Sequence, residues 1–113
     1  MMITIYHNPR WSKSRESVKI LEQKNVTFKI IEYLKKGISF DEIKMITSLL
    51  NIKPKEITRK SEQDYKNLNL DLDDDFKVME AIVKYPKILE RPIILNNGKA
   101  VIGRPPEKIL EIL

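Results

Sequence analysis

The run Ile3-Thr4-Ile5-Tyr6-His7-Asn8-Pro9-Arg10-Trp11-Ser12-Lys13-Ser14-Arg15 carries the chain from a first strand through a tight turn into a first helix. Ile3 to Tyr6 alternates apolar and polar residues and then breaks at His7-Asn8-Pro9, the pattern of a strand that ends in a loop. From about Ser12 the residues favour a helix, with Val18, Ile20 and Leu21 on one side and Lys19, Glu22 and Lys24 outward. Asn25 is the expected terminator. Alternation returns over Val26 to Tyr33, where Val26, Phe28 and Ile30 are set against Thr27, Lys29 and Ile31, which predicts a second strand. A β-α-β unit of this kind has parallel strands and a right-handed crossover.

The middle of the chain reads as helical. Ser39-Phe40-Asp41-Glu42 has the spacing of a capping box, and the helix behind it turns Ile43, Ile46, Leu49 and Leu50 inward and stops near Asn51. Pro54 suits a first helical position, opening a short helix through Ile57 to about Lys60, with Arg59 near its end. Ser61 to Leu70 is a further short helical piece. Asp71-Leu72-Asp73-Asp74-Asp75 leads into Phe76, Met79, Ile82 and Val83 at helical spacing, ending before Pro86. Asp73 or Asp74 is expected as the cap of that helix, because the acidic cluster lacks the ligand spacing of a calcium loop. In the last third, Pro92 to Leu95 and Lys99 to Ile102 flank Asn97-Gly98, the dipeptide that type I′ hairpins prefer, and Pro92 stands at the strand entry where no ladder bond is lost. Arg104-Pro105-Pro106-Glu107 then opens a final helix with Ile109, Leu110, Ile112 and Leu113 available for packing. The order predicts an α/β fold with a mixed sheet and helices on both faces: β-α-β, a helical insertion over about 39–85, then β-β-α.

Composition narrows the function. A chain of 113 residues, 42% hydrophobic and 33% charged, is expected to be one domain that buries roughly two-thirds of its unfolded surface. No stretch approaches the ~18 uncharged apolar residues of a membrane span, and Met1-Met2-Ile3-Thr4 lacks the features of a signal peptide, so a cytoplasmic protein is expected. There is no cysteine, which removes thiolate nucleophiles, CxxC redox pairs and Cys-ligated metals. His7 is the sole histidine, which removes multi-histidine metal sites. The net charge of +5 favours an anionic partner only weakly, and Tyr6, Tyr33, Tyr65 and Tyr85 do not interleave with basic residues as a nucleic-acid stacking platform would.

The division of the basic charge says more. Sixteen lysines stand beside five arginines: Arg10, Arg15, Arg59, Arg91 and Arg104. Where lysine supplies solvation, a retained arginine points to a need for the planar fork that grips a carboxylate or oxyanion at two points. The His7 to Arg15 loop joins a strand end to a helix start, where free amides and the helix dipole favour an anion; Arg10, Lys13 and Arg15 add charge there. A solvated basic surface is the alternative at this point. Convergence of the five arginines on one anion is a hypothesis with a geometric motive.

Ile3-Thr4-Ile5-Tyr6-His7-Asn8-Pro9-Arg10, Ser12-Lys13-Ser14-Arg15-Glu16, Glu90-Arg91-Pro92-Ile93 and Val101-Ile102-Gly103-Arg104-Pro105-Pro106-Glu107 resemble the glutaredoxin-dependent arsenate reductases (ArsC), relatives of the Spx regulators, along essentially the whole chain. The resemblance implies a thioredoxin-like fold over residues 1–113 and oxyanion-binding arginines at Arg59, Arg91 and Arg104. It also implies a cis peptide bond before Pro92 and reduction of arsenate to arsenite with glutathione and glutaredoxin as co-reductants. No bound cofactor is expected. Small oxyanions (arsenate, phosphate or sulfate) are the candidate ligands, with Asn8, Arg10, Ser12, Lys13, Ser14 and Arg15 around them.

The departure falls on the nucleophile. In the family the loop reads His-Asn-Pro-Arg-Cys-Ser, and the cysteine attacks arsenate; here the position is Trp11. Indole has no ionisable thiol, and the hydroxyls of Ser12 and Ser14 cannot cycle through a mixed disulfide. Natural loss of catalysis, a deliberate substitution and a sequence error each account for Trp11. The first, leaving a non-catalytic oxyanion-binding relative, is carried forward, with an Spx-like adaptor that engages RNA polymerase, or a variant of an active reductase, as the alternatives. Trp11 is expected to cap the helix start, with stacking on Arg10 as the other reading. In the family His7 sits near the nucleophile and favours the thiolate. Without a thiol it is expected to be a strand-end hydrogen-bonding residue, structural to the site as Pro92 is.

Overall fold

The structure, a computed structural model, describes residues 3–59, 63–90 and 92–113. They fall into two compact units, Met1–Lys36 with Arg91–Leu113, and Gly37–Glu90.

In the first unit the described residues form a mixed sheet of four strands in the order β2-β1-β3-β4: β1 Ile3–Tyr6, β2 Phe28–Ile31, β3 Ile93–Asn96 and β4 Lys99–Ile102. β1 runs parallel to β2, as the crossover requires, and antiparallel to β3, which in turn pairs with β4. The register sets Ile5 opposite Ile94 and Ile94 opposite Val101. That apolar row, with Ile3, closes on Leu21 of helix α1 (Ser12–Gln23) and on Ile109 of a 3-10 helix, Pro106–Ile112. Alternation is what makes this possible, since every second side chain of a strand shares a face. On the opposite face Tyr6, Ile31 and Ile93 are also buried. Asn25 does end α1, at φ 54°, and Asn97 (φ 50°) with Gly98 (φ 71°) makes the expected type I′ turn.

Four expectations about this unit are corrected. The second strand stops at Ile31: β1 ends at Tyr6, opposite Ile31, so Tyr33 has no ladder to join and instead opens a one-turn helix, α2 (Tyr33–Lys36), whose Lys35 and Lys36 amides donate to the Glu32 carbonyl. Ile30 is exposed because β2 is an edge strand, and Leu110 and Leu113 face solvent because the last helix is a 3-10 turn that buries Ile109. β3 begins one residue after Pro92. The described cis peptide bond is Arg104-Pro105; Arg91 and the bond joining it to Pro92 lie outside the described residues. A close approach follows in sequence: a Cβ on Gly103 would lie 2.9 Å from Pro92 Cγ and Ser17 Oγ and 3.1 Å from Ile94 Cδ1, so only glycine lets β4 leave the sheet beside α1.

The second unit is helical. Helix α3 (Phe40–Leu50) starts on the capping box read from the sequence, Ser39 Oγ accepting the Glu42 amide at 3.1 Å and the Glu42 carboxylate accepting the Ser39 amide at 3.0 Å, and stops at Asn51 with φ 56°. Ile43 and Ile46 are buried; Leu49 and Leu50, expected inward, are half-buried. A 3-10 helix, Pro54–Ile57, ends before Lys60 because Thr58 bridges to Leu89; Lys60 and Ser61 themselves lie outside the described residues. Helix α4 (Gln63–Leu68) precedes α5 (Asp75–Lys84), which is capped by Asp74 accepting the Lys77 amide at 3.1 Å. The buried stripe of α5 is Val78, Ala81 and Ile82. Of the four residues read at helical spacing, Ile82 is buried and Met79 half-buried, while Phe76 and Val83 are exposed, because the face that meets α3 and the 3-10 turns is centred on Val78, Ala81 and Ile82. Phe76 instead packs on Phe40, ring centroids 5.2 Å apart. A last 3-10 turn, Pro86–Ile88, leads out.

Candidate functional site

The chemistry of the first unit centres on the passage from β1 to α1. The His7 amide donates to the Ile31 carbonyl at 2.9 Å, which extends the strand pairing by one bond. Asn8 then builds the turn: its side-chain oxygen accepts the Arg10 amide at 3.1 Å, its carbonyl accepts the Trp11 amide at 3.1 Å, and its own amide donates to Ser14 Oγ at 3.3 Å. Asn8 and Ser14 are both buried. An asparagine that bonds the backbone two residues on is a turn former by chemistry, and a buried serine one turn into the helix fixes the loop from below. Ser17 continues that buried polar seam by donating to the Lys13 carbonyl at 2.9 Å.

Above this floor the cations are outward. Arg10, Ser12, Lys13 and Arg15 are exposed; the Arg15 guanidinium donates back to the Pro9 carbonyl at 3.0 Å, and Lys13 lies 3.7 Å from Glu16. Trp11 is the N-cap residue of α1, with extended backbone (φ −105°, ψ 130°). Its side chain makes no capping hydrogen bond, and the first turn of the helix carries no acidic residue. The start of α1 thus has no capping hydrogen bond from its N-cap side chain and no acidic residue in its first turn, and basic groups stand around it. The indole is 40% exposed. A thiol at this N-cap position would be held toward its thiolate by the same dipole and charges.

His7 is buried, with Nδ1 lacking a hydrogen-bond partner in the structure, so its strand-end hydrogen bond comes from the backbone and not from Nδ1. Burial holds the imidazole below its ordinary range; Glu32 opposes that shift and Arg15 adds to it. Arg104 is exposed at the end of β4, its amide donating to the Ile102 carbonyl at 2.9 Å, and Pro92 is buried at the start of β3.

The second unit holds Arg59. Thr58 and Leu89 form an antiparallel bridge, around which the Arg59 amide donates to Ile88 and the Glu90 amide to Ile57, both at 2.6 Å. Arg59 Nη1 donates to Glu90 Oε1 at 3.0 Å, with the two side chains only 10% and 23% exposed. Of the five arginines, then, Arg10, Arg15 and Arg104 belong to the first unit, Arg59 to the second, and Arg91 lies outside the described residues. Sequence reasoning did not single out Glu90 as a partner or Gly103 as a close approach. Among the described residues no group of three or more His, Asp and Glu could hold a metal ion, and no helix is long and apolar enough to cross a membrane.

The profile of the ArsC family matches residues 6–112. The chain belongs to the ArsC family. An arsenate reductase of Haemophilus influenzae is 43% identical over 116 aligned residues covering 100% of both chains, and an uncharacterized protein of Escherichia coli, YfgD, is 40% identical over 98% of this chain and 96% of its own. Among solved structures, the arsenate reductase from Vibrio cholerae superposes with a TM-score of 0.93 at 41% identity, covering 100% of this chain and 98% of the other. The fold is the thioredoxin-like α/β fold of ArsC arsenate reductases.

Proposed function

We propose that this chain is an oxyanion-binding member of the ArsC family that does not perform the family's cysteine-based reduction of arsenate. The observation that carries the reading is Trp11 at the N-cap of α1: the helix start has basic residues and no acidic one in its first turn, which suits an anion, while the residue there has no thiol. In the first unit the proposal assigns the anion to the loop from Asn8 to Arg15 and to Arg104. Arg59 and Arg91 are assigned by resemblance alone, as is the working of residues 1–113 as one domain in the cytoplasm. Arsenate, phosphate and sulfate are the ligand class, with no bound cofactor; glutathione and glutaredoxin serve as co-reductants only where a thiol stands at position 11. No observation favours the Spx-like adaptor over this reading.

The test uses the sole tryptophan. Titrating arsenate, phosphate or sulfate is expected to change Trp11 fluorescence and release or absorb heat at millimolar anion or below; a silent titration on both readouts overturns oxyanion binding. Trp11→Cys, assayed for arsenate reduction with glutathione and glutaredoxin, is expected to be active where the parent is not. Turnover by the purified parent overturns the non-catalytic assignment.

A further inference from the structure

We infer that Glu90 sets the anion selectivity of Arg59: it is a tethered carboxylate, already seated on the guanidinium, that keeps free monocarboxylates off Arg59 and admits only oxyanions of higher charge. The inference rests on the reading of Arg59 as an oxyanion ligand and deepens it. Both residues are held from the backbone, because the bonds from the Arg59 amide to Ile88 and from the Glu90 amide to Ile57 flank the Thr58 and Leu89 bridge. Their side chains meet at 3.0 Å with little exposure, where solvent and salt screen the pair weakly. A charge-assisted bond from a guanidinium to a carboxylate is among the strong hydrogen bonds of a protein. A free carboxylate arriving at Arg59 would replace one carboxylate by another, and the internal one has the advantage of a tether. A doubly charged oxyanion gains more Coulomb energy from the same fork and competes on better terms.

Calorimetric titration of the full chain and of Glu90→Gln, with sulfate and separately with acetate, tests this. The expected result is sulfate affinity about tenfold higher in the variant, with acetate binding measurable in Glu90→Gln and absent from the parent; about tenfold corresponds to the loss of one modest competing interaction. Arg59→Lys placed on Glu90→Gln is expected to remove the gain. If the variant does not fold, the carboxyl carbon-13 signal of Glu90 in the parent is the readout, and it is expected to move in step with sulfate saturation. Unchanged or weaker sulfate binding in Glu90→Gln, or a Glu90 signal that stays still while sulfate binds, overturns the inference and leaves the proposed function standing. Sulfate binding to neither protein overturns the inference, and silent arsenate and phosphate titrations beside it overturn the proposed function as well.

Discussion

At the start of α1, Arg10, Lys13 and Arg15 stand in solvent over a floor of buried uncharged groups, Asn8 and Ser14, whereas in the second unit the cation itself, Arg59, is withdrawn from solvent and matched by a carboxylate. The first arrangement leaves positive potential open to a ligand and secures the loop with neutral hydrogen bonds. The second neutralises the charge internally and secures two chain segments 31 residues apart. Exposed cations contribute little to stability and can serve binding at little cost to the fold; a withdrawn pair is part of the folded state, and an anion that reaches it must compete with the internal carboxylate.

This contrast ranks the effects of substitution. Arg59→Ala leaves Glu90 largely buried without this partner and is expected to destabilise the chain by about 2–3 kcal/mol in urea unfolding; a loss below about 0.5 kcal/mol would put Arg59 in the same class as the surface cations of α1. Ser14→Ala removes the acceptor of the buried Asn8 amide, and a cost of about 1 kcal/mol is expected by the same measurement. The contribution of His7 is smaller and depends on pH. Its folded pKa lies below the unfolded value of about 6.5, so the unfolded chain binds more protons between the two values. The neutral buried imidazole is therefore fully compatible with folding above about pH 6.5, and stability declines as pH falls from there through the folded pKa. Urea unfolding at pH 7.5 and pH 5.5 is expected to show this decline in the parent and less of it in His7→Gln. Arg15→Ala should change stability by no more than about 0.5 kcal/mol, because the side chain is exposed. It should nonetheless raise the pKa of His7, which is read directly from the one imidazole signal in the proton NMR spectrum.

Much of the fold was legible where the signal is local. The alternation of Ile3 to Tyr6, the Ser39 and Glu42 capping box, Asn97-Gly98 and the Asp74 cap each depend on residues within a few positions of one another, and each is present. Legibility failed where a distant neighbour decides. Tyr33 carries the β propensity of a strand, yet its environment is set by the length of β1; Phe76 and Val83 have helical spacing, yet the elements packed on α5 choose a different stripe. The candidate loop was legible from Asn8, Pro9 and the basic residues after it, but the inward turn of Ser14 was not, because a serine at a helix start suits a cap, a ligand or a buried strut equally well. Arg59 was singled out by composition and by resemblance; its tie to Glu90 spans a separation that no periodicity encodes.

The hairpin tip offers a practical handle. Gly98 has nothing within 4 Å of where a side chain would begin, and Asn97 beside it faces solvent. A tag or short peptide spliced between them would extend the turn beyond the strands, so an affinity handle or fluorescent reporter can be installed there, at the end of the sheet away from the loop that carries Trp11.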